Sequence, residues 1–527
     1  MIISFSHSYF GLSAVLDTLR DNPEYFVKFD VTRAHRQTDP FKPDPETQPV
    51  EHEHYGPHYE NFRFEQPDFD INEYDQVWLF GARSEKSIEP PDQDDSQRLT
   101  DAELAILARW MDNGGGLFAT GDHADLGASL SARVPRIRSM RKWTHAQGVP
   151  LPTGPDRHDS LRKGHDDAYT FDDESDDLPM SISLKYYPAP SWSPFKMKKY
   201  PHPLLCGSAG PIDILPDHPH EGEVIPESSI DLTQSFSFSG YSGDEYPATA
   251  GVQPTPEVVA WATVQADHTA TDFKGVANFK VYGAIGAYDG HAADVGRAAV
   301  DSTWHHWFDV NLTGRPLGDL DSLPMDSTNP KTLGFLATTA GKQAYARIQE
   351  YYRNVAMWLA SKPKQRCMFL RATWGAVLRY PAAERLSLDM PTWELGEYIK
   401  EVICQRANQC ILTNWLIDLC PPTAFDVLGD LGPQPDVRLT SPPWEVVEVY
   451  SLGGITRELL RRAYEFEDRQ EGLEEESLAA ALVGGAQTGA RELIDVLEAS
   501  MGDTQGRVSS LSELMRESRR SARDFME

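Results

Sequence analysis

The chain has 527 residues, more than one hydrophobic core normally serves, so we expect two or more domains. Hydrophobic residues make up 40% of it, which is typical of a globular protein and argues against wholesale disorder. The formal net charge of −31 at pH 7 repels phosphate backbones and anionic lipids, which argues against nucleic acid and membrane surfaces as general partners.

The cysteines indicate a reducing environment. They are an odd number without CxxC spacing: Cys206, Cys367, Cys404, Cys410 and Cys420. This pattern is typical of reduced thiols in the cytosol rather than of a disulfide framework. The amino terminus lacks a basic segment before an apolar run, and no stretch approaches the ~18 to 20 apolar residues of a membrane span. We therefore predict a cytoplasmic protein.

The chain opens with a β-α-β pattern. Residues 2–5 are an apolar run, residues 11–16 have helical spacing, and residues 26–31 alternate as in a strand. A Pro- and acid-rich loop follows, and the next strand is predicted at 75–80.

A helix and a further strand lead into a tight turn. Thr100 and Glu103 have the spacing of a capping box, which predicts a helix that ends at the glycines 114–116. Residues 117–120 form a short apolar strand, and the chain turns at Gly121. Strands that alternate with helices favour a parallel sheet covered on both faces, in which ligands bind beyond the carboxyl ends of the strands.

The alternation breaks at residues 131–245, which are Pro-rich, acidic and aromatic and indicate a long insertion. The insertion would either cover the site as a lid or form an irregular surface excursion, and both readings fit its composition. Strand-like sequence resumes at 258–264 and 279–285, and a small apolar strand then leads into an aromatic turn at 302–307.

The last 200 residues have a different character. Residues 313–333 are rich in Gly, Pro, Asp and Ser, which marks a linker or a domain boundary. Helical spacing follows at 339–359, 390–417 and 455–467. We predict an α/β domain at about 1–320 and an all-α C-terminal domain at 330–527, without a catalytic motif in the latter.

The turn after the strand at 117–120 carries the candidate chemistry. It projects Asp122 and His123 into a crevice beside backbone N–H groups that can stabilise an oxyanion. No cysteine or serine stands at the turn, so an acyl-enzyme mechanism lacks its nucleophile. A histidine can act as general base or acid near neutral pH, and Asp122 or Asp125 would orient His305 for this role. The alternative is that these histidines are only hydrogen-bonded.

A family resemblance rests on motifs that occur in order. They are Tyr74-Asp75 before a strand, the glycines 114–116, Gly121-x-His123, and Gly296-Arg297 followed by His305. In these motifs the chain resembles, over roughly residues 1–315, the ThuA-like (trehalose-utilisation) group of the class I glutamine amidotransferase-like superfamily. The resemblance implies a flavodoxin-like α/β sandwich with His123 where amidotransferases carry their cysteine and His305 in the same crevice. It also implies a link to carbohydrate metabolism.

A second polar cluster could hold a metal. His218, His220 and Glu221 combine imidazole and carboxylate groups, which suit a divalent transition metal such as zinc, iron or manganese. The two histidines would share one face of an extended segment. A polar surface loop is the alternative, because the spacing matches no known metal signature.

The aromatic turn offers candidate substrate contacts. Trp304 and His306 would bind a sugar ring or another planar ligand by stacking, with Arg297 as a further contact. The alternative is that Trp304 and Trp307 pack against the last helix of the sandwich. A basic cluster would receive a phosphate or carboxylate, or pair with acidic residues of the protein itself. Its members are Arg133, Arg136, Arg138, Arg141 and Lys142.

Two functions fit these observations. The first is a hydrolase or lyase that acts on a small polar, carbohydrate-like substrate, in which His123 and His305 exchange protons and Asp122 orients them or binds a metal. The second is a non-catalytic ligand-sensing or scaffolding protein, whose helical half binds another protein or forms a homo-oligomer. The fold alone does not decide between them.

Overall fold

A computed structural model describes the chain in segments. The described residues are 2–3, 11–20, 27–36, 58–81, 98–148, 179–188, 199–207, 210–216, 222–264, 278–313, 334–378, 386–407, 412, 415–416, 444–466, 478 and 480–500. They form two compact units. The first unit comprises Met1–Tyr187 and Pro201–Gln365, and the second comprises Pro188–Tyr200 and Arg366–Glu527.

A mixed sheet of eight strands runs through the first unit. In chain order the strands are β1 (Ile2–Ile3), β2 (Ala34–His35), β3 (Gln76–Phe80), β4 (Gly116–Thr120), β5 (Ser183–Leu184), β6 (Glu257–Val264), β7 (Lys280–Tyr288) and β8 (Ala298–Asp301). Across the sheet their order is β2-β1-β3-β4-β8-β7-β6-β5. The α/β class is confirmed.

The alternation of strands and helices predicts a parallel sheet, but the observed sheet is only partly parallel. Strands β2, β1, β3, β4 and β8 are mutually parallel. Strand β7 is antiparallel to β8, β6 to β7, and β5 to β6. The difference arises because β6 and β7 follow each other in the chain and pair directly, as antiparallel neighbours do. Strand β5 comes from the long insertion, so part of the insertion belongs to the sheet.

Some of the helices lie where the sequence predicts them, with shifted ends. They are α1 (Ser13–Arg20), α2 (Asp101–Asp112), α3 (Ala128–Ser131), α4 (Ile137–Met140), α5 (Asp309–Leu312), α6 (Thr339–Leu359), α7 (Lys362–Leu378), α8 (Thr392–Ala407) and α9 (Trp444–Phe466), with further helical residues at 480–500. Helices α3, α4, α5 and α7 are not among the predicted helices. Helix α2 begins with the capping box of Thr100 and Glu103 that the sequence predicts. The C-terminal part is helical wherever it is described in regular structure.

Helices cover both faces of the central strands. Trp78 and Phe118 pack in one layer of the core with α1 and α6, whereas Leu79 and Leu117 pack in the other layer with α2. Successive residues of β3 and β4 therefore point to opposite buried faces, as expected of strands in the middle of a parallel sheet. Burial on both faces explains why these strands are continuous apolar runs.

The first unit extends beyond the boundary expected near residue 320. Helix α6 belongs to it, and Ile348, Tyr351 and Val355 of this helix are buried in the core of the sheet. The helical pattern of α6 is correctly placed by the sequence, but the helix packs on the sheet and on α1 of the first unit rather than in a separate helical domain. The unit ends at Gln365 because α6 covers one face of the sheet.

The helices of the second unit approach one another at glycines. A Cβ atom at Gly396 of α8 would overlap the carbonyl oxygen of Val449 of α9. A Cβ atom at Gly489 would likewise overlap the carbonyl oxygen of Tyr450. Backbones this close leave no room for any larger residue.

We expect Gly489→Ala to destabilise the second unit by about 1–3 kcal/mol, because the new methyl group forces the two helix backbones apart. Thermal unfolding of the full chain measures the effect. Gly484→Ala, on the same helix, is the matched control, because a Cβ atom there meets nothing within 4 Å. That substitution should stabilise the helix by about 0.5–1 kcal/mol through reduced backbone entropy of the unfolded chain. Equal effects of the two substitutions would refute this account.

The cysteines depart in part from the expected reduced state. Cys367 and Cys404 are free, whereas Cys206 is disulfide-bonded. The expectation of five reduced thiols is therefore wrong for Cys206, since spacing along the chain does not show which cysteines meet in space. Within the segments described above, no helix is long and apolar enough to cross a membrane.

Candidate active site

Three of the predicted site residues meet at the carboxyl ends of β4 and β8. Oδ2 of Asp122 lies 3.0 Å from Nδ1 of His123 and 3.4 Å from Nε2 of His305. The Asp122 side chain is fully buried, whereas the side chains of His123 and His305 are 21% and 10% exposed. One buried carboxylate therefore contacts both histidines, and His123 is the one that solvent reaches best.

The elbow turn, residues 121–125, is tight enough to require glycine at its start. A Cβ atom at Gly121 would lie 2.5 Å from the carbonyl oxygen of Leu126 and 3.0 Å from the Trp143 ring. Ala124 has a φ of 52°, which non-glycine residues adopt only rarely. The backbone thus bends sharply here, directly beside the side chains of Asp122 and His123.

One backbone N–H group of the elbow turn is already engaged within the turn. The N–H group of Asp122 donates to the carbonyl oxygen of Leu126 at 3.0 Å, so it is not available to stabilise an oxyanion. The carbonyl oxygen of Gly121 accepts the N–H group of Trp304 at 2.7 Å. This bond fastens the turn that carries His305 directly to the elbow turn.

His305 is held at both ring nitrogens. Nε2 faces Asp122, and Nδ1 lies 2.7 Å from Oδ1 of Asn311. Thr303 caps the turn Trp304–His306, since its hydroxyl accepts the N–H group of His305 at 3.1 Å and donates to Oδ1 of Asp122 at 3.0 Å. Asn311 and Thr303 are not among the site residues that the sequence predicts. Thr303 could have been found as a capping residue ahead of the turn.

The charge state of Asp122 follows from its neighbours. Burial alone raises the pKa of this carboxyl group, but the adjacent His123 and His305 outweigh burial and hold the pKa well below its usual value. Asp122 is therefore ionised at neutral pH. An ionised carboxylate beside Nδ1 of His123 favours the tautomer with the proton on Nδ1, which leaves Nε2 as the basic nitrogen.

His306 and Trp304 do not meet the expectation of substrate contacts. His306 is fully buried, and its Nδ1 lies 2.6 Å from Oδ1 of Asp301. Asp301 also accepts bonds of 3.0 Å from the indole N–H of Trp307 and the hydroxyl of Tyr351. Trp304 is 6% exposed and packs in the core of the sheet. Both residues stabilise the turn from the protein interior.

Arg297 lies at the amino end of β8, whereas His305 follows its carboxyl end. It immediately precedes β8, so the whole strand separates it from the site. Its Nε donates to Asp289 at 2.8 Å, and its Nη1 donates to the carbonyl oxygen of Trp358 at 3.1 Å. The expected contact of Arg297 with a substrate at the histidine site is therefore wrong. The arginine joins the start of β8 to α6.

The predicted metal ligands His218, His220 and Glu221 lie outside the described residues. Among the residues that are described, no group of three or more His, Cys, Asp or Glu side chains is placed to hold a metal ion. The description of the chain resumes at Gly222, whose N–H group donates to the carbonyl oxygen of Ser302 at 3.0 Å. The chain that follows the predicted ligands thus adjoins the end of β8.

The basic cluster pairs largely with acidic residues of the protein. The pairs are Arg133 with Asp101, Arg136 with Asp112, Arg138 with Glu245, and Lys142 with Glu223. Arg141 instead donates to main-chain carbonyl oxygens. The cluster is thus used within the fold, as the second of the two sequence interpretations holds.

A cavity of about 430 Å³ lies at the amino end of β3, opposite the strand ends that carry the histidine site. Its lining includes the apolar side chains of Leu19 and Trp78 and the charged residues Lys28, Asp75 and Lys364. The volume falls within the range of pockets for small molecules. The cavity is separate from the site of Asp122, His123 and His305.

Comparison with models of protein families finds no match, and neither the curated proteins nor the solved structures that were compared match the chain. The geometry of the site is therefore what bears on function.

Proposed function

We propose that this protein is a hydrolase or lyase that acts on a small polar, carbohydrate-like substrate, with His123 as the group that transfers protons. The observation that carries the proposal is the buried carboxylate of Asp122, 3.0 Å from Nδ1 of His123. A carboxylate in this position orients an imidazole and stabilises the imidazolium that forms when the other nitrogen takes a proton.

The two histidines have different roles in this proposal. His123 is the more exposed, so its Nε2 takes a proton from the substrate or from water and returns it to the leaving group. His305 is held between Asp122 and Asn311, so it keeps the shared carboxylate ionised and in place. Direct exchange of protons between the histidines would pass through Asp122.

The strand order supports a flavodoxin-like sandwich of the ThuA-like type as part of the proposal. The parallel strands are ordered β2-β1-β3-β4-β8, which corresponds to the flavodoxin-like order 2-1-3-4-5. The antiparallel strands β5, β6 and β7 extend this arrangement. The histidine site lies at the carboxyl ends of β4 and β8, which is the edge where such sheets bind ligands.

Metal assistance, partners and location belong to the same proposal. His218, His220 and Glu221 would hold a divalent transition metal near the end of β8, where Gly222 contacts Ser302. The helical unit would bind a protein partner or a second copy of the chain. A cytoplasmic location is part of the proposal because Cys367 and Cys404 are free thiols, which a reducing compartment keeps reduced.

The proposal is tested with a panel of sugar esters, sugar lactones and glycosides. We expect turnover by the wild type and a loss of about a hundredfold or more in His123→Ala, because general acid–base catalysis supplies that much. His305→Ala should lose activity as well. His145→Ala is the control, since His145 is exposed and lies close along the chain. Unchanged turnover in both site variants would contradict the proposal.

The alternative is a ligand-sensing or scaffolding protein without catalysis, and the cavity at the amino end of β3 favours it. That cavity has the size of a small-molecule pocket, whereas the histidine site is nearly closed. Under this alternative the panel yields no turnover with the wild type. A small molecule would instead raise the unfolding temperature, equally in wild type and His123→Ala.

A further inference from the structure

Arg141 bonds main-chain carbonyl oxygens at the ends of both strands that carry the site. Its Nη2 donates to Asp122 at 2.9 Å and to Ser302 at 2.7 Å, and its Nε donates to Asp301 at 3.1 Å. Its Nη1 donates to Lys142 at 2.7 Å. One guanidinium group thus joins the chain after β4 to the chain after β8.

The surrounding residues leave a space shaped for this guanidinium group. A Cβ atom at Gly222 would overlap Nη2 of Arg141, and a Cβ atom at Gly121 would lie 3.1 Å from Nη1. The Trp143 ring stacks on the guanidinium group, with its centre 4.6 Å from Cζ of the arginine. Two glycines and an indole therefore enclose a side chain that is fully buried.

Burial of this charge is costly, and the surroundings compensate for it. Burial lowers the pKa of Arg141 to about 10, while the nearby carboxylates of Asp122 and Asp301 oppose the decrease. The group therefore remains charged at neutral pH. Carbonyl dipoles and two carboxylates replace the lost water.

We propose that Arg141 is a positioning residue that fixes the separation of Asp122 and His305. The planar fork bonds the carbonyl oxygens of Asp122, Asp301 and Ser302 at once. A lysine cannot do this, because its ammonium group is compact and sits on a flexible stem. The bond between Gly121 and Trp304 couples the same two turns from the other side. This inference rests on the proposed function, since it assigns the shared contact of Asp122 and His305 a role in that site.

The test is the reactivity of individual histidines towards diethyl pyrocarbonate, measured by peptide mass mapping in wild type and Arg141→Lys. His305 should react at least about tenfold faster in the variant, because charge-assisted bonds that hold its turn are lost. His202 and His291 are internal references, since both are buried near Arg297, which lies at the amino end of β8 and away from His305. Their rates should not change.

Two further variants make the test decisive. Arg36→Lys alters another fully buried arginine, which pairs with Glu103, and it should leave the rate at His305 unchanged. Gly222→Ala retains the arginine but places a methyl group against both its Nη2 and the carbonyl oxygen of Ser302, so it breaks the bond between them and should raise the rate at His305 as Arg141→Lys does. An unchanged rate at His305 in both site variants overturns the inference, as does an equal increase at His202 and His291.

The outcome is separable from that of the proposed function. A selective increase at His305, combined with full turnover in His123→Ala, would support the positioning role and reject the catalytic one. Loss of turnover in His123→Ala with no change in reactivity at His305 would do the reverse.

Discussion

Glu103→Ala is expected to lower the free energy of unfolding of the first unit by about 3–5 kcal/mol, because it leaves a buried guanidinium group without its partner. Glu103 and Arg36 are both fully buried and form a two-point ion pair, with Nη2 and Oε2 3.1 Å apart. Glu103 also accepts the N–H groups of Phe64 at 3.1 Å and Thr100 at 2.9 Å. The substitution therefore removes four bonds from one buried carboxylate.

Urea unfolding followed by tryptophan fluorescence measures this loss. Asp101→Ala is the matched control, because it lies in the same turn of α2 and pairs with Arg133. That pair is partly exposed, with 57% of the aspartate side chain accessible, so its loss should cost less than about 1 kcal/mol. If Glu103→Ala cost no more than the control, the buried pair would not stabilise the fold as described.

A second large effect is expected on acidification, through His35, His202 and His291. Burial, reinforced by the nearby cations Arg33 or Arg297, lowers the pKa of each from 6.5 to about 3. Between these values the unfolded chain binds protons that the folded chain does not, so the free energy of unfolding falls as the pH falls. Each histidine contributes about 1.4 kcal/mol per pH unit in this window. Above pH 6.5 the stability is fully present.

The contribution of one histidine is isolated with His291→Gln. Its free energy of unfolding should depend less steeply on pH between about 6.5 and 3 than that of the wild type, because glutamine takes up no proton. Carboxylates add to the slope in both proteins, so the difference between the two curves is the quantity of interest. His145→Gln, at an exposed position, should match the wild type. Parallel curves for wild type and His291→Gln would contradict the assignment.

Features that depend on neighbours along the chain could be predicted from the sequence. The capping box of Thr100 and Glu103 begins α2 where expected, since its bonds join residues three apart. The apolar runs that predict β3 and β4 lie within one residue of the observed strands, and the helical spacing at 339–359 matches α6. The elbow turn could also be predicted, because Gly121 directly follows the apolar run of β4.

Features that depend on distant parts of the chain could not be predicted from the sequence. The alternation at 26–31 predicts a strand, but β2 begins only at Ala34, because its two-residue partner β1 pairs there. Arg297 and His305 are close in sequence, yet β8 runs between them and places them at its opposite ends. Asn311 carries no local signal, because it reaches His305 only once the turn and α5 have formed. Asp122 contacts both His123 and His305 only because β4 and β8 are neighbours in the sheet, which the sequence does not show.

The position of β4 and β8 within the sheet bears on how the site fluctuates. Each has a hydrogen-bonded strand on both sides, whereas β2 and β5 form the edges. Local opening of a sheet starts where a strand has one neighbour, because only one ladder must break. Partial unfolding that begins at either edge therefore leaves the strands that carry Asp122 and His305 intact. Their separation is lost only when the first unit opens as a whole.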